Sequence, residues 1–159
     1  MPRVWLAQEH EAETVADLLV AFRDHMGRDW PSANAFLANV ERLMERRESE
    51  FLLAAVSDDG PAAGIAQVRY RFGVWKAAED CWLEDLYVRP EARRNGLGDA
   101  LVDGVVRRAR ERGCGRVELD VSTANAPAQA LYARHGFATG KDGPGTQDLL
   151  MHHLLSSRD

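Results

Sequence analysis

Cysteine is scarce in this chain. Cys81 and Cys114 are the two in 159 residues, and no C-x-x-C occurs. That argues against a disulfide framework and leaves two free thiols, the pattern expected of a cytoplasmic protein. Neither has a histidine near it in sequence, so neither reads as a catalytic nucleophile. Long apolar runs are missing as well. None approaches the roughly 18 residues of a membrane span. The opening Met1-Pro2-Arg3-Val4-Trp5-Leu6 is too poor in apolar residues for a signal peptide. A basic surplus is missing too: 20 Lys and Arg face 25 Asp and Glu, for a net charge of −5. No nucleic-acid or membrane partner is expected on that balance, while a cationic substrate is compatible with it. No Cys/His spacing suggests zinc, and His152-His153 would point to opposite faces of a strand, so no metal is expected. No repeat, low-complexity tract or linker interrupts the chain.

What is present is an ordinary apolar content of 45%, enough for a core, and a pattern that changes period along the chain. The reading is one domain over residues 1–159, of mixed α/β (α+β) type. Arg3 to Ala7 reads as a strand. Glu9 to Phe22 carries Val15, Leu18, Leu19 and Phe22 at helical spacing. Ser32 can cap a second helix with Phe36, Val40 and Leu43 inward. Glu50–Val56 and Ala63–Phe72 read as strands joined by the turn Ser57-Asp58-Asp59-Gly60-Pro61. Gly64 suggests a bulge or a close approach. A connection over 73–80 leads to the apolar strand Cys81–Val88. Gly98–Arg112 is a helix whose late arginines suit its C-terminal dipole. Val117–Val121 alternates as a half-buried strand. Asn125–Arg134 is a short helix, a strand starts at Gly136-Phe137, Asp142–Gly145 is a turn, and Thr146–Leu155 is a last strand. The expectation is a mixed central sheet of about six to seven strands with helices on both faces.

The central strand runs into Val88-Arg89-Pro90-Glu91-Ala92-Arg93-Arg94-Asn95-Gly96-Leu97-Gly98-Asp99-Ala100. A strand, an arginine- and glycine-containing turn and a helix N-terminus suit a diphosphate. The first helical N–H groups lack internal partners and carry partial positive charge. Gly96 and Gly98 remove Cβ atoms from the approach. Arg93 and Arg94 add charge and planar donors. Taken alone, this spacing could equally be a glycine-rich turn with solvated arginines. It is neither the Gly-Lys-Ser/Thr phosphate loop nor the G-x-G-x-x-G fingerprint.

A second motif follows one strand later. Asn125-x-x-Ala128-x-x-Leu131-Tyr132-x-x-x-Gly136-Phe137, with Leu83-Glu84-Asp85-Leu86-Tyr87-Val88-Arg89-Pro90 before the turn, resembles the GNAT superfamily of acyl-CoA-dependent N-acyltransferases. The motifs span Leu83 to Phe137, and the element order matches too. The resemblance implies a sheet splayed open at the central strand and acetyl-CoA as acyl donor. It puts the phosphate loop on Arg93, Arg94, Asn95, Gly96, Leu97 and Gly98, with backbone amides through Asp99 and Ala100. It puts main-chain contacts to the pantetheine arm on the strand edge at Leu86, Tyr87 and Val88, and a further contact on Asn125. Tyr132 matches the general acid. A homodimer is the assembly it suggests, with no sequence feature carrying it.

The implied chemistry is attack of an amine on a thioester through a tetrahedral intermediate. It asks for a base, a backbone donor for the oxyanion and an acid for the leaving thiolate. Glu84 and Asp85 are the base candidates. Glu84 shares parity with Trp82, Leu86 and Val88, so an unbroken strand would set it among apolar residues and raise its pKa. Asp85 is then a partner for the substrate amine or a second choice, and Glu84 remains equally readable as a structural carboxylate paired with an arginine. Tyr132 is alternatively a core tyrosine, and Asn125 an N-cap as well as a contact. His25 and His135 read as surface or packing residues. Asp29, Glu79 and Asp80 could border a cationic acceptor; a polyamine-like molecule, an aminoglycoside-like one, a lysine side chain and a peptide N-terminus are all compatible. The rival readings are a non-catalytic acyl-CoA sensor and a nucleotide-binding domain.

Overall fold

A computed structural model of the chain describes residues 1–140 and 149–156. Five strands, β1 (Arg3–Leu6), β2 (Ser49–Ala55), β3 (Gly64–Gly73), β4 (Ala78–Val88) and β5 (Val117–Glu118), form one sheet in the order β1-β2-β3-β4-β5. The first four pair antiparallel, and β5 joins β4 in parallel. Helices α1 (Ala12–His25), α2 (Ala33–Met44), α3 (Leu97–Glu111) and α4 (Ala126–Arg134) complete the fold. It is the expected α+β architecture, with a mixed open sheet and helices on both faces.

Strand alternation decides which helix covers which face. Phe51, Leu53, Ile65 and Tyr87 pack against α1 and α2 through Val15, Leu18, Leu19 and Val40. Leu52, Ala54, Ala66, Val68 and Leu83 pack against α3 through Leu97, Leu101 and Val105. Two glycines let α3 lie close. A Cβ on Gly64 would stand 3.1 Å from Leu101 Cδ1, and one on Gly104 would stand 2.9 Å from Val4 Cγ1. Gly64 is thus the close approach, not the bulge. Ser32 caps α2 by accepting from the Ala35 N–H at 3.1 Å. The residues before α1 form a short 3₁₀ turn, Glu9–Glu11, so that helix begins three residues later than its periodicity suggests and runs on to His25.

The C-terminal third departs from expectation. β5 stops at Glu118 instead of reaching Val121. No strand starts at Gly136-Phe137, and residues 149–155 are in no strand. Five strands therefore stand among the described residues where six to seven were expected. Apolar content alone cannot make a strand without a neighbour to pair with. Leu149, Leu150, Met151, Leu154 and Leu155 are exposed. The turn expected at Asp142–Gly145 and the residues 146–148 lie outside the described residues. The connection expected over 73–80 is also shorter, because β3 and β4 extend into it and leave 74–77 as the hairpin turn.

One end of β4 is closed by charge. Glu50 on β2 accepts from Arg108 Nη2 at 2.8 Å, from Arg108 Nε at 3.0 Å and from the Tyr70 hydroxyl at 2.7 Å. Arg112 lies over the Tyr70 ring and pairs with Glu79 at 3.1 Å. Arg116 pairs with Asp80 at 3.2 Å. Two of the late α3 arginines, Arg108 and Arg112, are therefore bound to acids of the sheet rather than left to the helix dipole. Burial would raise the Glu50 carboxyl, but the hydrogen bonds from Arg108 and Tyr70 and the charges of Arg108 and Arg112 outweigh it and hold it below its ordinary value.

Replacing Glu50 by Gln leaves Arg108 and Tyr70 short of their acceptor, at a cost of about 3 kcal/mol. Urea unfolding is expected to register that loss at neutral pH. A carboxyl lowered by folding stabilises above its unfolded pKa and loses that contribution as pH falls through the folded one. The difference between wild type and variant should therefore shrink on acidification below about pH 4.5.

Candidate active site

β4 and β5 pair at Cys81–Val117 and Trp82–Glu118 and then part. Beyond Trp82, β4 keeps β3 on one side and, among the described residues, has no strand on the other. Hydrogen-bonding direction alternates along a strand. The Arg89 N–H donates to Ala63 O at 2.8 Å on the β3 side. Tyr87 therefore also faces β3, and the backbone groups of Leu86 and Val88 face the open side. The Val88 carbonyl accepts from Arg93 Nε at 3.2 Å. Tyr87 sits differently from its neighbours: its ring is buried and stacks on Phe22 at 5.0 Å between centroids.

After Val88 the chain makes a 3₁₀ turn, Pro90–Ala92, and then enters α3. Arg94 and Gly96 both take left-handed φ, +65° and +75°. Gly96 is the N-cap of α3 and offers no side chain to the helix end. The N–H groups of Leu97, Gly98 and Asp99 thus have no helical acceptor, while the Ala100 N–H is taken by Gly96 O at 3.0 Å. Asn95 braces the turn from within, its amide donating to Ala92 O at 3.0 Å and Arg93 O at 3.1 Å. Leu97 is buried and anchors the helix start. Arg93 Nη2 lies 3.4 Å from His25 Nε2. An uncapped helix start flanked by two arginines fits a diphosphate. The two glycines serve different ends: Gly96 supplies the φ, and Gly98 makes room for α4, because a Cβ there would meet Leu131 Cδ2 at 3.3 Å.

The strand itself is bulged at the acid pair. Gln67 pairs with Asp85, but Val68 pairs with Leu83, so Glu84 has no partner on β3. Side-chain parity shifts by one there. Leu83 before the bulge and Leu86 and Val88 after it all face the α3 side. The parity expected to join Glu84 to Leu86 and Val88 is thereby broken. Glu84 is exposed and bound, receiving Arg69 Nη2 at 2.7 Å and Nε at 2.9 Å on Oε2. The burial anticipated for Glu84 falls on Asp85. Desolvation, then the charge of Glu84, push the Asp85 carboxyl up to about 6, against the opposing charge of Arg69.

Tyr132 arrives from α4. Asn125 caps that helix, its side chain accepting from the Ala128 N–H at 3.2 Å. The Tyr132 ring packs on Phe137 at 5.8 Å and on the core between the sheet and α3. Burial, then the charge of Asp85, hold its hydroxyl above the ordinary tyrosine value. The charge of Asp85 thus reaches Tyr132 although 47 positions separate them in the chain. His135, one turn on, bridges to α3 with Nε2 at 2.8 Å from Asp99 and Nδ1 at 3.0 Å from Asp103. Its packing role is thus a tie between two helices. Glu79 and Asp80 are not beside this cluster. They lie six and five strand residues, roughly 16–20 Å, from Asp85, and are bound by Arg112 and Arg116. Among the described residues no group of three or more His, Cys, Asp or Glu could hold a metal, and no helix is long and apolar enough to cross a membrane.

Sheet order, the one-sided opening of β4 and the uncapped α3 start define an α+β transferase scaffold. The sequence profile of the acetyltransferase (GNAT) family matches residues 13–137. The chain belongs to that family. It is 42% identical over 84 residues to streptothricin acetyltransferase of Streptomyces lavendulae, a match covering 53% of this chain and 42% of that protein. It is 30% identical over 111 residues to an aminoglycoside N(6')-acetyltransferase type 1 of Stenotrophomonas maltophilia, covering 68% of this chain and 72% of that one. The chain thus spans less than half the length of the first relative. Its fold matches the crystal structure of "a probable acetyltransferase" with a TM-score of 0.81 at 25% identity, covering 95% of this chain and 99% of the other.

The left-handed cap predicts a stability difference between the two glycines. Gly96→Ala should lose about 1 kcal/mol through the strained φ. Gly98→Ala should lose less, since the tip of Leu131 can give. Urea unfolding of the two variants side by side checks the order, and equal costs would remove the distinction drawn here.

Proposed function

We propose that this chain transfers an acetyl group from acetyl-CoA to a primary amine on a small cationic molecule, with Asp85 accepting the amine proton and Tyr132 protonating the departing thiolate. The observation that carries this reading is the half-buried Asp85 beside the bulge of β4, pushed up to about 6, whose charge in turn helps hold Tyr132 above its ordinary value. A carboxylate near 6 is ionised at neutral pH yet more basic than an ordinary aspartate, and a raised phenol keeps its proton until it is needed.

Acetyl-CoA, when bound, supplies an acetyl group already activated as a thioester. The α3 N-terminus, Arg93 and Arg94 would hold its diphosphate. The backbone edge at Leu86 and Val88 would hold its amide arm, with Arg93 giving up the Val88 carbonyl. The acceptor reacts as the free amine, its ammonium proton already given to water: the nitrogen gains the acetyl group and loses one proton to Asp85 Oδ, and the sulfur leaves with the bonding pair and takes one proton from Tyr132 Oη. Glu84, already bound by Arg69, is the less available base. The two acidic side chains favour a cationic acceptor, and the streptothricin and aminoglycoside relatives support a small molecule over a peptide. The buried Cys81 thiol, pushed up to about 12, is unreactive and suits a reducing cytoplasm.

Free-thiol release from acetyl-CoA, measured against aminoglycosides, polyamines, amino acids and short peptides, tests the reading. Tyr132→Phe should lower turnover by at least about tenfold while calorimetric affinity for acetyl-CoA is kept. A base must be ionised, so kcat/KM should fall as pH drops through about 6. Asp85→Asn should remove most activity and that limb with it. Binding without turnover on any amine would instead make this an acyl-CoA-binding module. No binding at all would refute the cradle assigned to α3.

A further inference from the structure

We propose that Arg69 and Glu84 form a positioning pair, in which the guanidinium holds Glu84 aside and offsets its charge, so that Asp85 meets the acceptor as a lone carboxylate. This rests on Asp85 being the proton acceptor. The bulge makes such a pair necessary. By inserting Glu84 without a β3 partner, it sets two acidic residues side by side at the opening of the sheet instead of on opposite faces. Two unpaired carboxylates there would compete for the ammonium and share its proton. Arg69, directly across from Trp82 on β3, reaches two residues along β4 and places both Nη2 and Nε on Glu84 Oε2 at 2.7 and 2.9 Å. Asp85 has no hydrogen-bond partner among the described residues.

Stability does not account for the contact. The Arg69 side chain is 55% exposed and that of Glu84 33%, and pairs so open to water contribute about 0–1 kcal/mol. What they do supply is a local charge balance. The charged and titratable groups around Asp85 are Glu84 on its own strand, Arg69 on β3 and Tyr132 on α4, with His25 at the end of α1 lying 6.0 Å from the Tyr87 ring two residues on. Glu84 raises Asp85 and Arg69 lowers it, so while the pair is intact the two effects oppose and burial sets the level.

The pair therefore has a signature that a merely structural contact lacks. Removing the cation and removing the anion should move Asp85 in opposite directions. The carboxyl carbon of Asp85, followed by NMR through a pH titration of the whole protein, reads this without any acceptor or acetyl-CoA. Arg69→Met should raise the midpoint by about half a pH unit or more, the size of one nearby charge in water. Glu84→Gln should lower it by a similar amount, and the double variant should return near wild type. Both side chains are solvent-facing, so thermal unfolding should stay close to wild type in all three. Midpoints that do not move, or that move the same way in both single variants, overturn the proposal. Failure of the underlying reading looks different: Asp85→Asn would keep thiol release while the opposed midpoint shifts remained.

Discussion

The parting of β4 from β5 after Trp82 is the constraint on which the rest of this molecule depends. A strand inside a sheet spends its backbone groups on two neighbours. Here the second neighbour stops after two residue pairs, and the six residues from Leu83 to Val88 keep one side open. That opening exposes the main chain of Leu86 and Val88, leaves Tyr132 within reach of the charge of Asp85, and turns the chain directly into the uncapped start of α3. The bulge at Glu84 follows the last β5 pair by two residues. An inserted residue increases local twist, and a parallel neighbour as short as β5 cannot follow it.

The two ends of β4 are built on opposite principles. At the β5 end, Glu79 and Asp80 are held by Arg112 and Arg116, and Arg108 closes on Glu50. Opposite charges meet there, although Asp80 Oδ1 and Glu118 Oε1 are buried without a hydrogen bond. At the open end Asp85 is half-buried with no such partner, and the compensating cation sits one residue away on Glu84. A fold stabilised firmly at one end can tolerate an unsatisfied carboxylate at the other. In the proposed reaction that unsatisfied group is the one asked to take a proton.

α4 ties Tyr132 to the start of α3 through ordinary packing. Leu131 fits against Gly98, and Arg134 and His135 reach Asp99. The helix that carries Tyr132 is thus fastened to the first turn of the helix whose N–H groups would meet a diphosphate. A Cβ at Gly98 would press on this joint, which gives that glycine a packing purpose separate from the φ demanded at Gly96.

By itself the sequence determined the element order through β5, the two helical faces, the cap at Ser32, the arginine- and glycine-bearing turn and the motif around Tyr132. Each rests on local chemistry: side-chain period, capping oxygens and glycine conformation act over a few residues. It did not contain the end of β5, or that 149–155 pair with no strand among the described residues, because strand pairing is decided by a neighbour and not by the strand's own apolarity. Nor did it contain the exchange of burial between Glu84 and Asp85. That depends on one residue skipped in the β3–β4 register, and a single skip reverses every parity after it. The register likewise sets Arg69 across from Trp82, within reach of Glu84. The proximity of Asp85 to Tyr132, and with it the perturbed carboxyl, exists only because the folded sheet opens between two segments far apart in the chain.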